Sequence, residues 1–215
     1  QHNVGKRNVC IDIKVEGAAE IILELADVAD ILVENFRPGV MARFGLDWET
    51  LHARNPRLIM LSISGFGQVG PERDRAAYAP VLHAETGLID RFAELSNNRA
   101  VDFPLSSADT TAAVHGVIGI LSAMVMANRT GVGQHIDLAM VNAQFYHDDF
   151  LSMVLSGDVP PAGSGDVWDV NGGRLIIATP FFYLWRKLNK LAGLRDPGDE
   201  DARRRVVAEY LAAFP

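Results

Sequence analysis

The segment Ser106–Asp109 precedes a long apolar stretch and is the part of the sequence best suited to covalent chemistry. A serine followed three residues later by an acid is typical of a capping box, whose side chains bond backbone N–H groups of a first helical turn. The same place suits a nucleophile, because the positive end of a helix keeps a carboxylate ionised and burial would leave it poorly hydrated. Asp109 is therefore predicted either to cap the helix or to attack an activated acyl group.

A second set of candidate residues is cationic and lies near the ends of predicted strands. Ligands of parallel sheets bind at the carboxyl ends of the strands, which favours Asn35, Phe36, Arg37 and the loop Gly65–Arg75 as the wall of a site. Arg43 and Lys14 could reach phosphates there, with Phe36 offering an apolar face. The alternative is ordinary solvated surface charge. The cations concerned are Lys6, Arg7, Lys14, Arg37, Arg43, Arg73 and Arg75.

Gly65–Gly70 has the formal G-x-G-x-x-G pattern of a dinucleotide site, and Asp90 lies at the distance expected for a ribose-binding acid. In such a site the third glycine lies inside a helix, whereas here Pro71 and a charged loop follow at once. We interpret the segment as a connection between elements. The histidines form no pair with metal-ligand spacing and Cys10 is the only cysteine, so no metal site is predicted.

The elements that must position these residues follow from the alternation of apolar runs with helical patterns over the first two-thirds of the chain. A β-α-β-α-β order implies right-handed crossovers and a parallel sheet. The predicted strands are Val9–Ile13, Asp30–Phe36, Arg57–Ser64 and His135–Met140. The predicted helices are Glu16–Ala26, Val40–Phe44, Trp48–Ala53, Tyr78–Leu88, Ser107–Asn128 and Val141–Leu155.

The pattern changes after Gly157. Pro160–Gly165 is predicted to be a linker or loop, and Val167–Ala178 a hairpin turning at Asn171–Gly173. Two amphipathic helices follow, over Phe182–Leu191 and Glu200–Phe214. We therefore predict a large α/β domain over residues 1–157, and a linker with part of a smaller α+β domain over residues 158–215.

Composition narrows the class of protein. The 215 residues are 48% hydrophobic, which is enough for a buried core, and the net charge of −7 argues against nucleic-acid binding. The most apolar stretch, Ala112–Ala127, is shorter than the roughly 20 residues of a membrane span, so a buried core helix and no membrane partner are expected. The first residues lack an apolar signal segment, and the single cysteine fits a reducing, cytoplasmic compartment.

Four segments together carry a resemblance to a known family. They are NVGKRNVCIDIK (Asn3–Lys14), the block Ala29–Pro71 with its VENFRPGV and ISGFGQVGP motifs, SSADTTAAVHGVIGILSAM (Ser106–Met124) and RTGVGQHIDLAMVNA (Arg129–Ala143). The sequence resembles the family III CoA-transferases, which include formyl-CoA and carnitine CoA-transferases and α-methylacyl-CoA racemases. The resemblance implies a Rossmann-like parallel-sheet domain, a small domain and an interlocked homodimer.

The resemblance also assigns functional residues. Asp109 falls on the family's nucleophile, which forms an aspartyl-acyl anhydride and then an aspartyl-CoA thioester on the way to a new acyl-CoA. CoA is a substrate, and no metal or further cofactor is implied. The family's CoA contacts map onto Ile11, Lys14, Asn35, Phe36 and Arg43, with Arg75 as a further basic contact.

The sequence departs from the family pattern at several points. The family's first βα unit is absent ahead of Gln1 and a C-terminal return to the large domain is missing, so we expect a partial chain. Ala79 stands where many relatives carry an acid, and His83 where a glutamine is common. The family's glycine-rich loop matches Gly163–Gly165 poorly.

Two alternatives to a transferase remain open. Racemases of the family pair the aspartate with a histidine ahead of the tyrosine, but Asp74–Tyr78 contains none, and His83 lies a helical turn further on. The second alternative is a catalytically silent CoA-binding paralogue, in which Asp109 is only a helix cap.

Overall fold

The computed structural model describes residues 3–96, 99–102, 105–147, 156–157 and 165–213. The chain divides into two compact units, Gln1–Leu151 and Ser152–Pro215. Each unit has its own secondary structure and its own buried apolar residues, three clusters in the first unit and one in the second, and we describe each by itself.

The first unit is built on a parallel sheet. Its strands are β1 (Ile31–Glu34), β2 (Ile59–Ser64) and β3 (His135–Ala139), in the order β1-β2-β3. Ile31 pairs with Ile59, and Met60 pairs with His135. The central strand β2 is buried along most of its length, as expected for an apolar run flanked on both sides. The predicted α/β class with a parallel sheet is confirmed.

Seven helices of the first unit lie within the described ranges. They are α1 (Ala18–Val28), α2 (Val40–Arg43), α3 (Trp48–Arg54), α4 (Ala79–Glu85), α5 (Leu88–Ser96), α6 (Ser107–Thr130) and α7 (Met140–Tyr146). The helix predicted over Tyr78–Leu88 is confirmed over Ala79–Glu85, but α4 ends at Glu85 and a second helix, α5, begins three residues later. Gly87 separates them with a φ of 70°, a left-handed conformation that glycine adopts without strain. The helix predicted over Val141–Leu155 begins as expected, and residues 148–155 lie outside the described part.

The predicted strand Val9–Ile13 is not formed. These residues adopt no regular structure, and the side chain of Val9 is 72% exposed. Apolar alternation favours a strand, but a strand exists only where a neighbour pairs with its backbone. Within the described ranges nothing pairs with this segment.

The helix α6 is buried on one face only, which corrects the prediction of a buried core helix. Its small residues Ala108, Ala112, Gly116, Ala123 and Ala127 are buried. Gly116 permits a close approach to the sheet, since a Cβ there would lie 2.8 Å from a Leu61 methyl carbon. By length and composition α6 also meets the requirement for a membrane span, which core helices of soluble proteins meet as well.

The described residues of the second unit form an antiparallel hairpin and two helices. The strands are β4 (Asp166–Val170) and β5 (Gly173–Ile177), and the helices are α8 (Phe181–Ala192) and α9 (Glu200–Ala212). The predicted hairpin is confirmed, with Asn171 and Gly172 as its turn and a φ of 89° at Gly172. Its core consists of Trp168, Phe181, Leu184, Trp185, Val207 and Leu211. Most of the predicted linker, residues 160–164, lies outside the described part.

Candidate active site

Asp109 lies in the first turn of α6, with its side chain exposed. It lines a cavity of about 270 Å³ at the carboxyl ends of β1 and β2. Among the described residues, none forms a hydrogen bond or ion pair with its carboxylate. The other residues lining the cavity are Asn35, Phe36, Arg37, Pro38, Ser64, Gly65, Arg73, Arg75, Ala76, Ala77, Tyr78 and Met140.

The strand ends explain why a cavity forms here. Asn35, directly after β1, donates from its Nδ2 to the carbonyl oxygen of Ile63 at 2.7 Å, which ties the end of β1 to β2. Gly65, directly after β2, lies against Ala77 so closely that no side chain larger than hydrogen fits. The charged loop between Gly70 and Tyr78 therefore returns to the end of β2 and forms one wall of the cavity. This is the edge at which parallel sheets bind ligands.

The predicted capping box is not formed. The backbone of the N-cap residue Ser106 is not extended, with φ −79° and ψ 62°, and its side chain makes no cap hydrogen bond. The backbone N–H of Ala108 instead donates to Nε2 of His83 at 3.3 Å. Ser107 donates to the side-chain oxygen of Gln144 at 3.3 Å. The carboxylate of Asp109 is thus not committed to capping its own helix.

Arg75 is held in the cavity wall by two carboxylates. It pairs with Glu85, and its Nη1 donates to Glu72 at 2.9 Å. These contacts, Glu85 first, hold the pKa of the Arg75 guanidinium above its ordinary value. The guanidinium also lies 4.7 Å from the centre of the Phe66 ring. Arg37 and Arg73 line the same cavity, so three arginines contribute to the lining of a space that would suit an anion.

The structure brings together four of the seven site residues that the family resemblance assigned. Asp109, Asn35, Phe36 and Arg75 line one cavity. Ile11, Lys14 and Arg43 do not line it. Lys14 lies before α1, where its backbone N–H donates to Asp12 at 3.0 Å, and Arg43 is an exposed residue at the end of α2. The CoA contacts predicted for all six binding residues stay predictions.

Sequence reasoning missed Ser64, Tyr78 and Met140 as residues of the cavity. Ser64 could have been found as the last residue of a buried strand, because strand ends form such sites. Tyr78 precedes α4, and Met140 opens α7. Their positions depend on how the helices return to the sheet, which the sequence pattern does not reveal.

Among the described residues, the histidines do not line the cavity of this carboxylate. His83 is fully buried. No cluster of three or more histidine, cysteine, aspartate or glutamate side chains that could hold a metal ion occurs among the residues described. The described part of the site therefore offers a carboxylate and guanidinium groups.

A larger cavity, of about 410 Å³, lies on another side of the start of α6. It is lined by Thr111, Val114 and His115 among others, and Asp109 is not part of its wall. Most of the surface that it exposes is apolar, and its described lining residues include no arginine or lysine. The smaller cavity is therefore the candidate active site, because arginines and the Asp109 carboxylate line it.

The fold and the cavity define an α/β protein with a cavity lined by arginines and a carboxylate at the carboxyl edge of its parallel sheet, a candidate site for an anion and a nucleophile. Residues 1–205 match the model of CoA-transferase family III, and the chain belongs to that family.

Several relatives carry activities in their names. The chain is 39% identical over 204 residues to the succinyl-CoA–L-malate CoA-transferase alpha subunit of Chloroflexus aurantiacus, covering 94% of this chain and 46% of that protein. It is 30% identical over 210 residues to the succinate–glutarate CoA-transferase of Agrobacterium fabrum, covering 93% of this chain and 52% of that protein. The chain spans about half the length of these curated relatives.

A solved structure supports the fold. The crystal structure of a CaiB/BaiF family protein from Brucella suis superimposes with a TM-score of 0.78 at 31% sequence identity. The match covers 97% of this chain and 60% of the Brucella chain.

Proposed function

We propose that this chain belongs to an enzyme that moves CoA from an acyl-CoA donor to a carboxylic acid acceptor, with Asp109 as the nucleophile. The observation that carries the proposal is an uncapped carboxylate in a cavity lined by three arginines. Membership of CoA-transferase family III supports it, as do relatives named for CoA transfer to malate or between succinate and glutarate.

The first half of the reaction transfers the CoA to the protein. A carboxylate oxygen of Asp109 attacks the thioester carbonyl, the carbon–sulfur bond breaks, and a mixed anhydride and a CoA thiolate form. The thiolate then attacks the aspartyl carbonyl of the anhydride. The donor acid leaves as a carboxylate, and an aspartyl-CoA thioester remains.

The second half reverses these steps with the acceptor. The acceptor carboxylate attacks the aspartyl thioester, which releases the thiolate and forms a second anhydride. The thiolate attacks the acceptor's carbonyl in this anhydride, giving the new acyl-CoA and regenerating the Asp109 carboxylate. Every step exchanges one acyl link for another, so the energy of the thioester is conserved.

The remaining site residues are proposed to bind CoA. The guanidinium groups of Arg75, Arg37 and Arg73 would attract its phosphates, and the half-exposed ring of Phe36 offers an apolar surface. CoA is larger than the cavity. Contacts with Ile11, Lys14 and Arg43, outside the cavity lining, are therefore compatible with the same ligand.

The two alternatives are less well supported by the geometry. A racemase needs a base beside the substrate's α-carbon, whereas His83 is fully buried and contacts Asp102 and Ala108. A silent paralogue would use Asp109 only as a cap, whereas the capping box is not formed.

A homodimer and a cytoplasmic location are part of the proposal. The homodimer comes from the family resemblance, and the cytoplasmic location from the single cysteine, which fits a reducing compartment. Two Chloroflexus relatives are named as alpha and beta subunits, so mass measurement of the purified full-length protein is needed to decide between one kind of subunit and two.

Hydroxylamine trapping tests the proposed nucleophile. The full-length protein is incubated separately with succinyl-CoA, acetyl-CoA and formyl-CoA, quenched with hydroxylamine, and digested for mass spectrometry of the peptide containing residues 106–115. We expect a hydroxamate on Asp109, because both the anhydride and the thioester of this side chain react with hydroxylamine. The Asp109→Asn variant should give none.

Asp90→Asn is the matched control, since Asp90 is an exposed aspartate on α5 outside the cavity. It should be labelled at Asp109 like the wild type. An unmodified Asp109 in protein that binds CoA would contradict the proposal. Deuterium incorporation at the α-carbon without exchange of CoA between acids would support the racemase instead.

A further inference from the structure

His83 of α4 is a buried polar group that contacts the residue before the proposed nucleophile. Its side chain has no exposed surface. Its Nδ1 lies 2.8 Å from Oδ1 of Asp102, and its Nε2 lies 3.3 Å from the backbone nitrogen of Ala108, the residue before Asp109. The ring thus joins α4 and the Asp102 segment to the first turn of α6.

The chemistry of these partners fixes where the ring carries its proton. A backbone N–H can only donate, so Nε2 must accept from Ala108. In the neutral ring the proton is then on Nδ1, which donates to the carboxylate of Asp102. Asp102 therefore selects the tautomer that makes His83 an acceptor toward α6.

This acceptor replaces a missing helix cap. The first N–H groups of a helix have no partner within the helix, and the N-cap side chain ordinarily accepts from one of them. Ser106 makes no such bond in α6. His83, on the neighbouring helix α4, instead accepts from the backbone N–H of Ala108, the residue before Asp109.

The same histidine links two walls of the cavity. The helix α4 begins directly after Tyr78, and α6 carries Asp109, and both residues line the cavity. A fixed first turn keeps the Asp109 carboxylate in one direction relative to Tyr78 and Arg75. Small displacements of a reacting group reduce rates strongly.

We propose that the Asp102–His83 pair is a positioning device that caps α6 from outside the helix and orients the Asp109 carboxylate for attack. Its effect on rate rests on the proposed function, whereas the cap itself does not. His83 touches no substrate in this proposal and acts through the backbone of Ala108.

Hydrogen exchange tests the cap without reference to activity. In the full-length protein, exchange at the Ala108 amide is compared between the wild type, His83→Leu and His83→Gln. We expect exchange about tenfold faster in His83→Leu, because the donor loses its acceptor. His83→Gln should retain most of the protection, since its amide oxygen can accept.

Thr86→Val is the matched control, because it also removes a buried polar group from the end of α4. The Thr86 hydroxyl donates to the carbonyl of Leu82 at 2.8 Å, within its own helical segment. This variant should leave exchange at Ala108 unchanged. Unaltered exchange in His83→Leu would overturn the proposal, whatever the enzyme's activity.

Steady-state kinetics and hydroxylamine trapping test the orienting role. We expect His83→Leu to lower kcat and the rate of Asp109 labelling at least about tenfold, with KM for the acyl-CoA nearly unchanged. His83→Gln should recover most of kcat, and Thr86→Val should keep it even if its Tm falls. An equal loss of kcat in His83→Leu and Thr86→Val would show a merely structural role and overturn the proposal.

The two proposals fail in different ways. A wild-type protein that never labels Asp109 refutes the proposed nucleophile, and the exchange at Ala108 still decides the cap. If Asp109 is labelled as fast in His83→Leu as in the wild type, the nucleophile is confirmed and the positioning role is refuted.

Discussion

Ser62 and Ser64 lie two residues apart on β2 and are both buried, but only one of their hydroxyl groups has a partner. The Ser62 hydroxyl lies 2.9 Å from Nε2 of His135. The Ser64 hydroxyl has no hydrogen-bond partner in the part of the chain that the structure describes, and it borders the Asp109 cavity. An unpaired buried hydroxyl lowers stability, so its presence here fits a donor kept for a ligand.

We expect the two serine-to-alanine substitutions to change stability in opposite directions. Ser64→Ala removes an unpaired polar group and should leave the free energy of unfolding unchanged or raise it by about 1 kcal/mol. Ser62→Ala breaks a buried hydrogen bond and should lower it by about 1 kcal/mol. Urea unfolding of both variants beside the wild type measures the difference. Equal destabilisation of the two variants would show that Ser64 has a partner in solution.

The residue type of Arg75 did not by itself define its role, because that role depends on the partners of its guanidinium. Its guanidinium is already paired with Glu85 and Glu72 and lies over Phe66. An incoming phosphate must therefore displace one of these two carboxylates from the Arg75 guanidinium, or bind the guanidinium beside them. Arg37 and Arg73 line the same cavity, and Arg73 lies only 3.6 Å from the exposed Asp74.

At the scale of the element, the short helix α3 depends on its N-cap. Oδ1 of Asp47 accepts from the backbone N–H of Thr50 at 2.9 Å and from its hydroxyl at 3.0 Å. The Thr50 N–H, as the largest cause, holds the pKa of the Asp47 carboxyl below its ordinary value. The helix in turn buries Leu51 in a cluster with Ala26, Leu58 and Met60 of β2.

The lowered pKa predicts how the cap depends on pH. A carboxyl whose folded-state pKa is depressed stabilises the protein above its unfolded pKa of about 3.9, and this stabilisation is lost as the pH falls through the folded value. At pH 7, Asp47→Ala should lower the free energy of unfolding by about 1 kcal/mol, and Asp47→Asn by less, because asparagine also caps helices.

Thermal unfolding from pH 7 down to pH 3 measures this dependence. The Tm advantage of the wild type over Asp47→Ala should shrink as the pH falls below about 4. The Asp47→Asn variant should keep its own advantage over Asp47→Ala throughout, since asparagine does not titrate. A wild-type advantage that stays constant to pH 3 would contradict the assigned cap.

At the scale of the whole molecule, α6 carries two apolar faces of different character. The buried face consists of alanines and a glycine, while Val114, Val117, Ile118, Leu121 and Val125 are each more than half exposed. Their spacing of three and four residues places them in one stripe along the helix. Contiguous exposed apolar surface of this kind favours association.

We expect the 215-residue chain by itself to self-associate through this stripe. Leu121→Lys should reduce association in light scattering and gel filtration and should change the free energy of unfolding by less than about 0.5 kcal/mol, because the side chain is exposed. Ala123→Lys is the control, since Ala123 is buried and a lysine there should unfold the protein. Unchanged association of Leu121→Lys, or a loss of stability equal to that of Ala123→Lys, would contradict the prediction.

Local patterns in the sequence were sufficient for most of the secondary structure. The apolar run of β2, the Asn171–Gly172 turn and the long helix α6 each carry a signal within a few residues, because backbone preference and periodicity act locally. The motifs around Phe36 and Gly65 likewise carried the family resemblance, and the chain belongs to that family. Asp109 could be singled out because its type and its place before a helix are both visible in the sequence.

The tertiary structure decided what depends on neighbours distant in the sequence. Val9–Ile13 has the pattern of a strand but nothing in the described chain to pair with, and α6 has the composition of a core helix but only one covered face. The side chain that caps α6 is His83 and not Ser106, and His83 lies 25 residues from Ala108, whose backbone N–H donates to it. Propensity is a property of a segment, whereas pairing, burial and hydrogen bonding belong to contacts, and only the folded chain determines which contacts exist.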